Sequence, residues 1–290
     1  MNIKKRHNLT WAYLFVLVPI VLQLIFFYIP MIQGFFYSLT DWTGLTSNYN
    51  FIGLKNFTAV FADQKFAKSV GFTIIFTLGL IVGEIVLGIV IARFLNKKLK
   101  GVGFFRTAYF FPAVLSTVTL GLIFKQIFNY GLPQLGEKLG ISWLQSNLIA
   151  DEKTVFWGVL FVALWQGVAM PIVIFLSGLQ SIPSEILEAA AMDGANNWQK
   201  FLKIEIPYLI PSLSMVFIMA LKAGLTAFDL IYALTGGGPS DKTTTMGLLV
   251  YNYAFKSNQY GYANAIAVLL FLAVAVISLI QIKTSKRFEA

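Results

Sequence analysis

Three ionisable side chains stand inside long apolar runs of this sequence: Glu84, Lys222 and Asp229. A charge at the centre of a bilayer costs about 2.5–3.5 kcal/mol on insertion scales. Ionisable groups kept there are usually paired, face water or mark a pathway. Glu84 and Lys222 are candidate partners, as a structural ion pair, as a contact with another chain or as ion-coupling groups. Asp229 lies near the end of its run, where it can face water or cap a loop. The other candidates are uncharged. Trp165, Gln166, Gly167 and Met170 offer an aromatic face, an amide and room. Ala220, Ala223, Gly224 and Ala227 recur at helical spacing as one small-residue face. Such a face suits a cavity wall, and equally close helix packing. Asn252 and Tyr253 are weaker polar candidates. The chain has no cysteine and one histidine, His7, which excludes disulfides, thiol catalysis and histidine-based metal sites. It has no Gly-x-x-x-x-Gly-Lys-Ser/Thr phosphate loop. A membrane enzyme would need clustered His, Cys or acidic side chains in the apolar runs, and the sequence offers none.

Membrane helices must position these residues. Of 290 residues, 57% are hydrophobic and 12% are charged, and the mean hydropathy is +0.73. A soluble domain carries about 25% charged residues, so this chain has too little charge to cover a soluble surface. An uncharged block of 18 or more residues reads as a span, because about 20 helical residues cross the hydrocarbon. The expectation is an all-α integral membrane protein with about six transmembrane helices, in a single domain over 1–290. The spans fall roughly at 11–39, 69–94, 106–125, 154–179, 207–234 and 257–282. The first block follows Lys4, Lys5 and Arg6, as a signal peptide would. It lacks a small-x-small cleavage site after a short apolar core, and reads as a retained span. Pro19, Pro112 and Pro171 lie inside spans, where buried neighbours can satisfy the carbonyls they free.

Six spans leave both termini on one side. That side carries Lys4, Lys5, Arg6, Arg93, Lys97, Lys98, Lys100, Arg106, Lys200, Lys203, Lys283, Lys286 and Arg287, thirteen basic residues against eight on the other. The bias of Lys and Arg toward cytoplasmic loops then puts both termini in the cytoplasm. The net charge of +9 follows from that bias rather than from nucleic-acid binding. Segments 40–68, 126–153 and 235–261 face outside. The last contains Gly236-Gly237-Gly238-Pro239, a strong breaker.

Residues 181–206 form a polar segment patterned as two short helices. Ser181 and Pro183 suit a helix start, and 185–192 has high helix propensity. Gly194 supplies a stop at positive φ. Asn196, with Gln199 three residues on, predicts a capping box for a second helix carrying Trp198, Phe201, Leu202 and Ile204. Ala189, Ala190 and Ala191 make a surface that another protein can approach closely, framed by Glu185, Glu188 and Asp193. A helix of this kind fits a partner's groove. By pattern alone, an ordinary amphipathic linker reads the same way.

Glu188-Ala189-Ala190, Asp193-Gly194-Ala195 and Ile206-Pro207 resemble the EAA loop of ABC importer permeases. The resemblance implies a pair of coupling helices seated in a cleft of an ATP-hydrolysing subunit. Glu188, Ala189, Ala190, Asp193 and Gly194 would be its coupling residues. Residues 228–239, from Phe228-Asp229 to Gly238-Pro239, are similar to carbohydrate permeases of the maltose-transporter (MalF-like) type. So are Tyr251-Asn252-Tyr253-Ala254-Phe255, Ser38-Leu39-Thr40-Asp41-Trp42 and residues 51–57. Some maltose-type subunits carry extra spans and a large outer domain, whereas this chain has six spans and short loops.

The resemblance covers nearly the whole chain and implies an assembly. This chain would be the transport subunit of an ATP-driven importer and not itself an enzyme. It would pair with a second homologous permease and sit on two ATPase subunits, which would hold ATP and Mg. An extracytoplasmic binding protein would deliver a mono- or oligosaccharide, across a bacterial cell membrane and amid its lipid. The family's sugar site is built largely from spans four and five. Trp165, Gln166, Gly167, Met170, Ala220, Ala223, Gly224, Ala227 and Asp229 are therefore the candidate path residues. No cofactor, metal or nucleic acid is implied for this chain. A polyol phosphate such as glycerol 3-phosphate, carried by close relatives, is an alternative substrate. An ion-coupled secondary transporter is a further alternative, but no repeat between the halves is visible.

Overall fold

Where no water can pair backbone groups, a chain must satisfy them internally, and a helix does so within one segment. The structure, a computed structural model, describes residues 3–97 and 101–285. Every regular element among them is helical, apart from one isolated antiparallel bridge between Thr40 and Phe51. Of the basic residues used for orientation, Lys98, Lys100, Lys286 and Arg287 lie outside the described residues, as do the side chains of Lys4, Lys5, Arg6 and Arg106. The elements fall into two compact units: Met1–Asp63 with Val250–Leu269, and Gln64–Leu249 with Leu270–Ala290.

In the first unit, α1 (Ile3–Gln23) continues through a wider, π-helical turn (Leu24–Tyr28) into α2 (Ile29–Tyr37). Pro30 has no N–H to offer the ladder, and the wider turn lies beside it. The most apolar 18-residue stretch of Tyr13–Tyr37 has a mean hydropathy of 2.5, and none of it is buried within the chain. The loop that follows is pinned by polar contacts. The Asp41 carboxylate accepts from the Asn50 backbone N–H at 2.6 Å and from the Asn50 amide at 3.0 Å. On α3 (Lys55–Ala62), buried Asn56 donates to the carbonyls of Ser38 and Thr40. Tyr37 stacks on Trp42 with ring centroids 4.1 Å apart.

The second unit is organised on α4 (Gln64–Leu95), which has 32 residues and whose most apolar 18-residue stretch has a mean hydropathy of 2.7. At 1.5 Å per residue it is about 48 Å long, longer than the ~30 Å hydrocarbon core. No proline interrupts it. Its buried residues recur at helical spacing from Phe66 through Thr73, Leu80, Glu84 and Gly88 to Ala92 and Leu95, so one face is turned to the core. Against that face pack α10 (Ala169–Gln180) and α14 (Ile210–Leu225). Ile89, Ala92, Ile172, Phe175, Leu209 and Val216 meet in the resulting core.

Three of the expected spans are not straight helices. Residues 106–125 divide between α5 (Val102–Val114) and α6 (Thr117–Gln126), with Leu115 and Ser116 extended between them. The two directions differ by 96°. α6 runs on through a π-helical turn (Ile127–Gly131) into α7 (Leu132–Leu139), and the short α8 (Ser142–Gln145) follows. Residues 154–179 divide at Val168 into α9 (Val155–Gly167) and α10, bent by 50°.

The 207–234 run is broken twice. After α11 (Ser184–Met192), the chain passes through α12 (Asn197–Lys200), a π-helical turn (Phe201–Glu205) and α13 (Ile206–Tyr208). It then turns by 69° into α14. That hinge, Leu209, lies between Pro207 and Pro211, each missing a ladder donor. α14 stops at Leu225, and after Thr226, Ala227 and Phe228 comes α15 (Asp229–Leu234). A loop then leads to α16 (Met246–Tyr251), a π-helical turn (Asn252–Lys256) and α17 (Tyr260–Ser285). Counting apolar residues locates a run but is blind to a change of helix direction within it. Tyr13–Tyr37, Gln64–Leu95 and Tyr260–Gln281 are long and apolar enough to cross a membrane unbroken, and six crossings result if each bent pair is one span.

Candidate functional site

Three of the four breaks in the second unit, all but the hinge at Leu209, surround one space. A cavity of about 440 Å³ is lined by Ala113 and Thr117 beside the α5–α6 break, and by Gln166, Gly167, Met170 and Pro171 around the α9–α10 break. Met219, Ala223, Thr226, Ala227, Phe228, Asp229 and Leu230 line it at the α14–α15 break. Unbroken α4 closes it with Phe76, Leu80 and Glu84. Interrupted helices at membrane depth are tolerated where their freed backbone groups are buried in protein or line a polar cavity. The convergence of these three breaks on one space therefore marks it as the candidate path.

Glu84 is buried at 5% exposure. Its Oε1 lies 2.5 Å from where a Cβ on Gly167 would stand, so glycine at that position gives the carboxylate its room. Glu84 and Lys222, which the sequence leaves open as candidate partners, do not form an ion pair with each other. Ion pairs do form elsewhere, Arg93 with Glu205 and Lys242 with Glu152, and Lys222 is exposed. Asp229 lies in the first turn of α15, where negative charge suits the helix dipole. The Gln166 amide donates to the carbonyl of Leu115 at 3.0 Å, and so partners a backbone group at the α5–α6 break.

The small-residue face proves to be two faces. Ala223 and Ala227 line the cavity. Ala220 is fully buried in a cluster with Ile81, Leu221 and Leu225. A Cβ on Gly224 would stand 2.5 Å from Thr77 Oγ1 and 2.7 Å from Thr77 Cα. Ala220 and Gly224 therefore serve close packing on α4 and do not line the space. Ala227 lies beyond the end of α14, so the helical spacing of four residues does not hold. Trp165 turns its ring to Phe124, with centroids 5.3 Å apart, and is not among the lining residues. Nor are Asn252 and Tyr253; in the first unit, Tyr253 and Tyr262 both donate to the Asp63 carboxylate. Sequence reasoning missed Phe76, Thr117, Met219, Thr226 and Phe228.

The 181–206 segment is built as two short helices. α11 ends as Asp193 N–H, Gly194 N–H and Ala195 N–H donate to the carbonyls of Ala189, Ala191 and Ala190. Gly194 takes φ +77°, a conformation that glycine adopts at no steric cost. The capping box forms: Asn196 Oδ1 accepts from the Gln199 N–H, and Gln199 Oε1 from the Asn196 N–H, both at 2.8 Å. No residue of α11 is buried. Met192 and Trp198 are 89% and 64% exposed, large apolar groups that water solvates poorly.

Among the described residues no three His, Cys, Asp or Glu side chains converge as metal ligands. Two carboxylates in connecting loops are held below their ordinary pKa. Asn50 does this to Asp41 through its backbone N–H and side chain. The Ser240 hydroxyl, followed by the charge of Lys242, does it to Glu152.

Over residues 84–287 the chain matches the family described as binding-protein-dependent transport system inner membrane component. It is 62% identical over 289 residues to the multiple sugar-binding transport system permease protein MsmF of Streptococcus mutans, covering 100% of both chains. It is 33% identical over 282 residues to the probable starch degradation products transport system permease protein AmyD of Thermoanaerobacterium thermosulfurigenes, covering 97% of this chain and 96% of that one. Among solved structures, it superposes with a TM-score of 0.81 on a chain of a bacterial ABC transporter involved in the import of the acidic polysaccharide alginate. That match covers 98% of this chain and 96% of the other at 20% identity, a likeness of fold.

Proposed function

Since this chain belongs to the family of binding-protein-dependent transport system inner membrane components, we propose that it is the permease subunit of an ATP-driven importer that conducts an uncharged sugar. The observation that carries this reading is the cavity at the three helix breaks. Its polar lining is Glu84, Thr117, Gln166, Thr226 and Asp229, set among apolar Phe76, Leu80, Met170, Met219 and Phe228. Hydroxyls, an amide and carboxylates can exchange hydrogen bonds with a polyol, and aromatic faces pack against the apolar face of a sugar ring. The lining includes two carboxylates and no Lys or Arg, which works against a phosphate-bearing substrate such as glycerol 3-phosphate. The relatives named for sugar and starch products support the same class.

The exposed loop 181–206 is the ATPase-docking element in this proposal, through Glu188, Ala189, Ala190, Asp193 and Gly194. ATP and Mg are handled on two separate ATPase chains. A second permease subunit completes the membrane part, and an extracytoplasmic binding protein hands over the sugar. Both termini lie in the cytoplasm of the bacterial cell.

Reconstitution of the complete transporter in vesicles tests the reading. Labelled neutral sugar is taken up on ATP addition, and glycerol 3-phosphate is not. Ala223→Leu fills the cavity and blocks uptake while the ATPase still co-purifies. Preferential uptake of the phosphate, or normal uptake by Ala223→Leu, overturns the proposal. Orientation is tested on the natural cysteine-free chain: a cysteine at Ser240 reacts with an impermeant reagent in intact cells, and one at Lys97 does not.

A further inference from the structure

We infer that Arg93 and Glu205 are positioning residues, a directional strut through which movement of the 181–206 loop reaches the cavity wall. The inference rests on the reading of that loop as the ATPase-docking element. The Arg93 guanidinium meets the Glu205 carboxylate as a fork, Nε to Oε2 at 2.6 Å and the second nitrogen to Oε1 at 3.4 Å. It also lies over the Phe201 ring, 4.2 Å from the centroid. A fork held from one side by a carboxylate and from another by an aromatic face is fixed in direction.

Both partners of Arg93 belong to the π-helical turn that joins α12 to α13. That turn stands between two functional parts. Toward the N-terminus it runs back through the Asn196–Gln199 capping box to Gly194 and exposed α11. Toward the C-terminus it leads through the 69° hinge to α14, which carries Met219 and Ala223 of the cavity. Arg93 is on α4, nine residues from Glu84, about 14 Å along an unbroken helix. A push on the loop at the strut is therefore delivered to α4 as a rod and to α14 through its hinge, two helices that pack on each other and both line the cavity.

The side chains of the loop beside this pair also meet α4 and α10 through apolar contacts. Leu187, Phe201, Ile204 and Ile206 pack against the core containing Ala92, Leu95 and Leu179. Contacts of that kind hold elements together but are non-directional, so they permit sliding. Space for sliding exists: a groove of about 520 Å³ flanks the pair, lined by Val90, Phe94, Lys97 and Asn197 as well as by Arg93 and Glu205. The Arg93 and Glu205 side chains remain 33% and 17% exposed. The pair is thus wet enough to break and re-form during a cycle, which a fully desolvated pair resists.

The test uses the complete transporter in vesicles, with Arg93→Ala, Glu205→Ala, Arg93→Lys and the exchange Arg93→Glu with Glu205→Arg. Four quantities are read: ATPase co-purification, basal hydrolysis, sugar-stimulated hydrolysis and uptake. In the alanine variants the ATPase remains bound. The ATP spent per sugar moved rises on the order of 3- to 10-fold, as fits a half-exposed charge pair. Arg93→Lys keeps the charge without the fork and falls between. The exchange restores coupling. A wild-type ratio in both alanine variants overturns the inference. So does a loss of assembled complex with an unchanged ratio in what remains, which marks the pair as a static staple. Failure of the parent reading looks different, since the wild-type chain would then hold no ATPase, and that outcome sinks both.

Discussion

Two glycines, one in the wall beside the cavity and one in the exposed loop, are needed for opposite reasons. Gly224 has an ordinary φ but no room, because a Cβ would press on the Thr77 backbone at 2.7 Å. Gly194 has unlimited room, with nothing within 4 Å of its Cβ position, but sits at φ +77°. The cavity region is thus limited by packing between helices distant in sequence. The loop is limited by local backbone conformation. The difference suits the roles proposed for them, since a wall must keep its volume while a docking element must keep its surface clear.

The sharpest way to break this comparison is Gly224→Leu. Overpacking a closed contact costs about 1–3 kcal/mol or more, and here the obstacle is backbone that cannot rotate aside. The variant should lose yield of folded protein and melt at lower temperature. A Gly224→Leu protein that folds normally would show that α4 and α14 can part, and that the wall is not set by packing. Gly194→Val comes next. A β-branched residue at positive φ costs about 1–3 kcal/mol, felt locally because nothing packs there. The membrane helices should stay intact and uptake should fall with loss of ATPase co-purification. Unfolding of the whole chain by this variant would contradict the local reading.

Gln166→Ala is smaller. It removes the bond to the Leu115 carbonyl, worth about 0.5–1.5 kcal/mol, and uptake should weaken without being abolished. The smallest effect concerns acid pH and Asp41. Its bonds from Asn50 favour the ionised form and lower its pKa. The stabilisation is therefore present above the unfolded value near ~4 and is lost as pH falls through the lower folded value. Protection of the Asn50 amide from hydrogen exchange, relative to a free amide at the same pH, should fall below that point in the natural chain, and Asp41→Asn should remove that change.

Legibility divides along the same line. In the loop, the Asn196–Gln199 capping box spans three residues and the Gly194 stop closes on Ala190 five residues before Ala195. Contacts that short are written in residue order. The cavity was half legible. Gln166, Gly167, Met170, Ala223, Ala227 and Asp229 do line it, yet Trp165, Ala220 and Gly224 do not. A spacing of three or four residues identifies one side of a helix, but it does not say which neighbour that side meets. Whether Glu84 and Lys222 pair is open in the sequence for the same reason: two charges in apolar runs share a need, not a location.

The sequence by itself determined the apolar runs, the helical class, and the caps and stops that terminate the loop helices. These depend on desolvating the backbone and on φ/ψ preferences within a few residues. Only the tertiary structure decided that three of those runs are interrupted, that one break from each lines a single space, and that Gly167 leaves room there for Glu84. It alone brought Arg93 to Glu205, 112 residues away. Packing and ion pairing act between elements that the chain order leaves far apart, and their outcome is fixed by which faces meet.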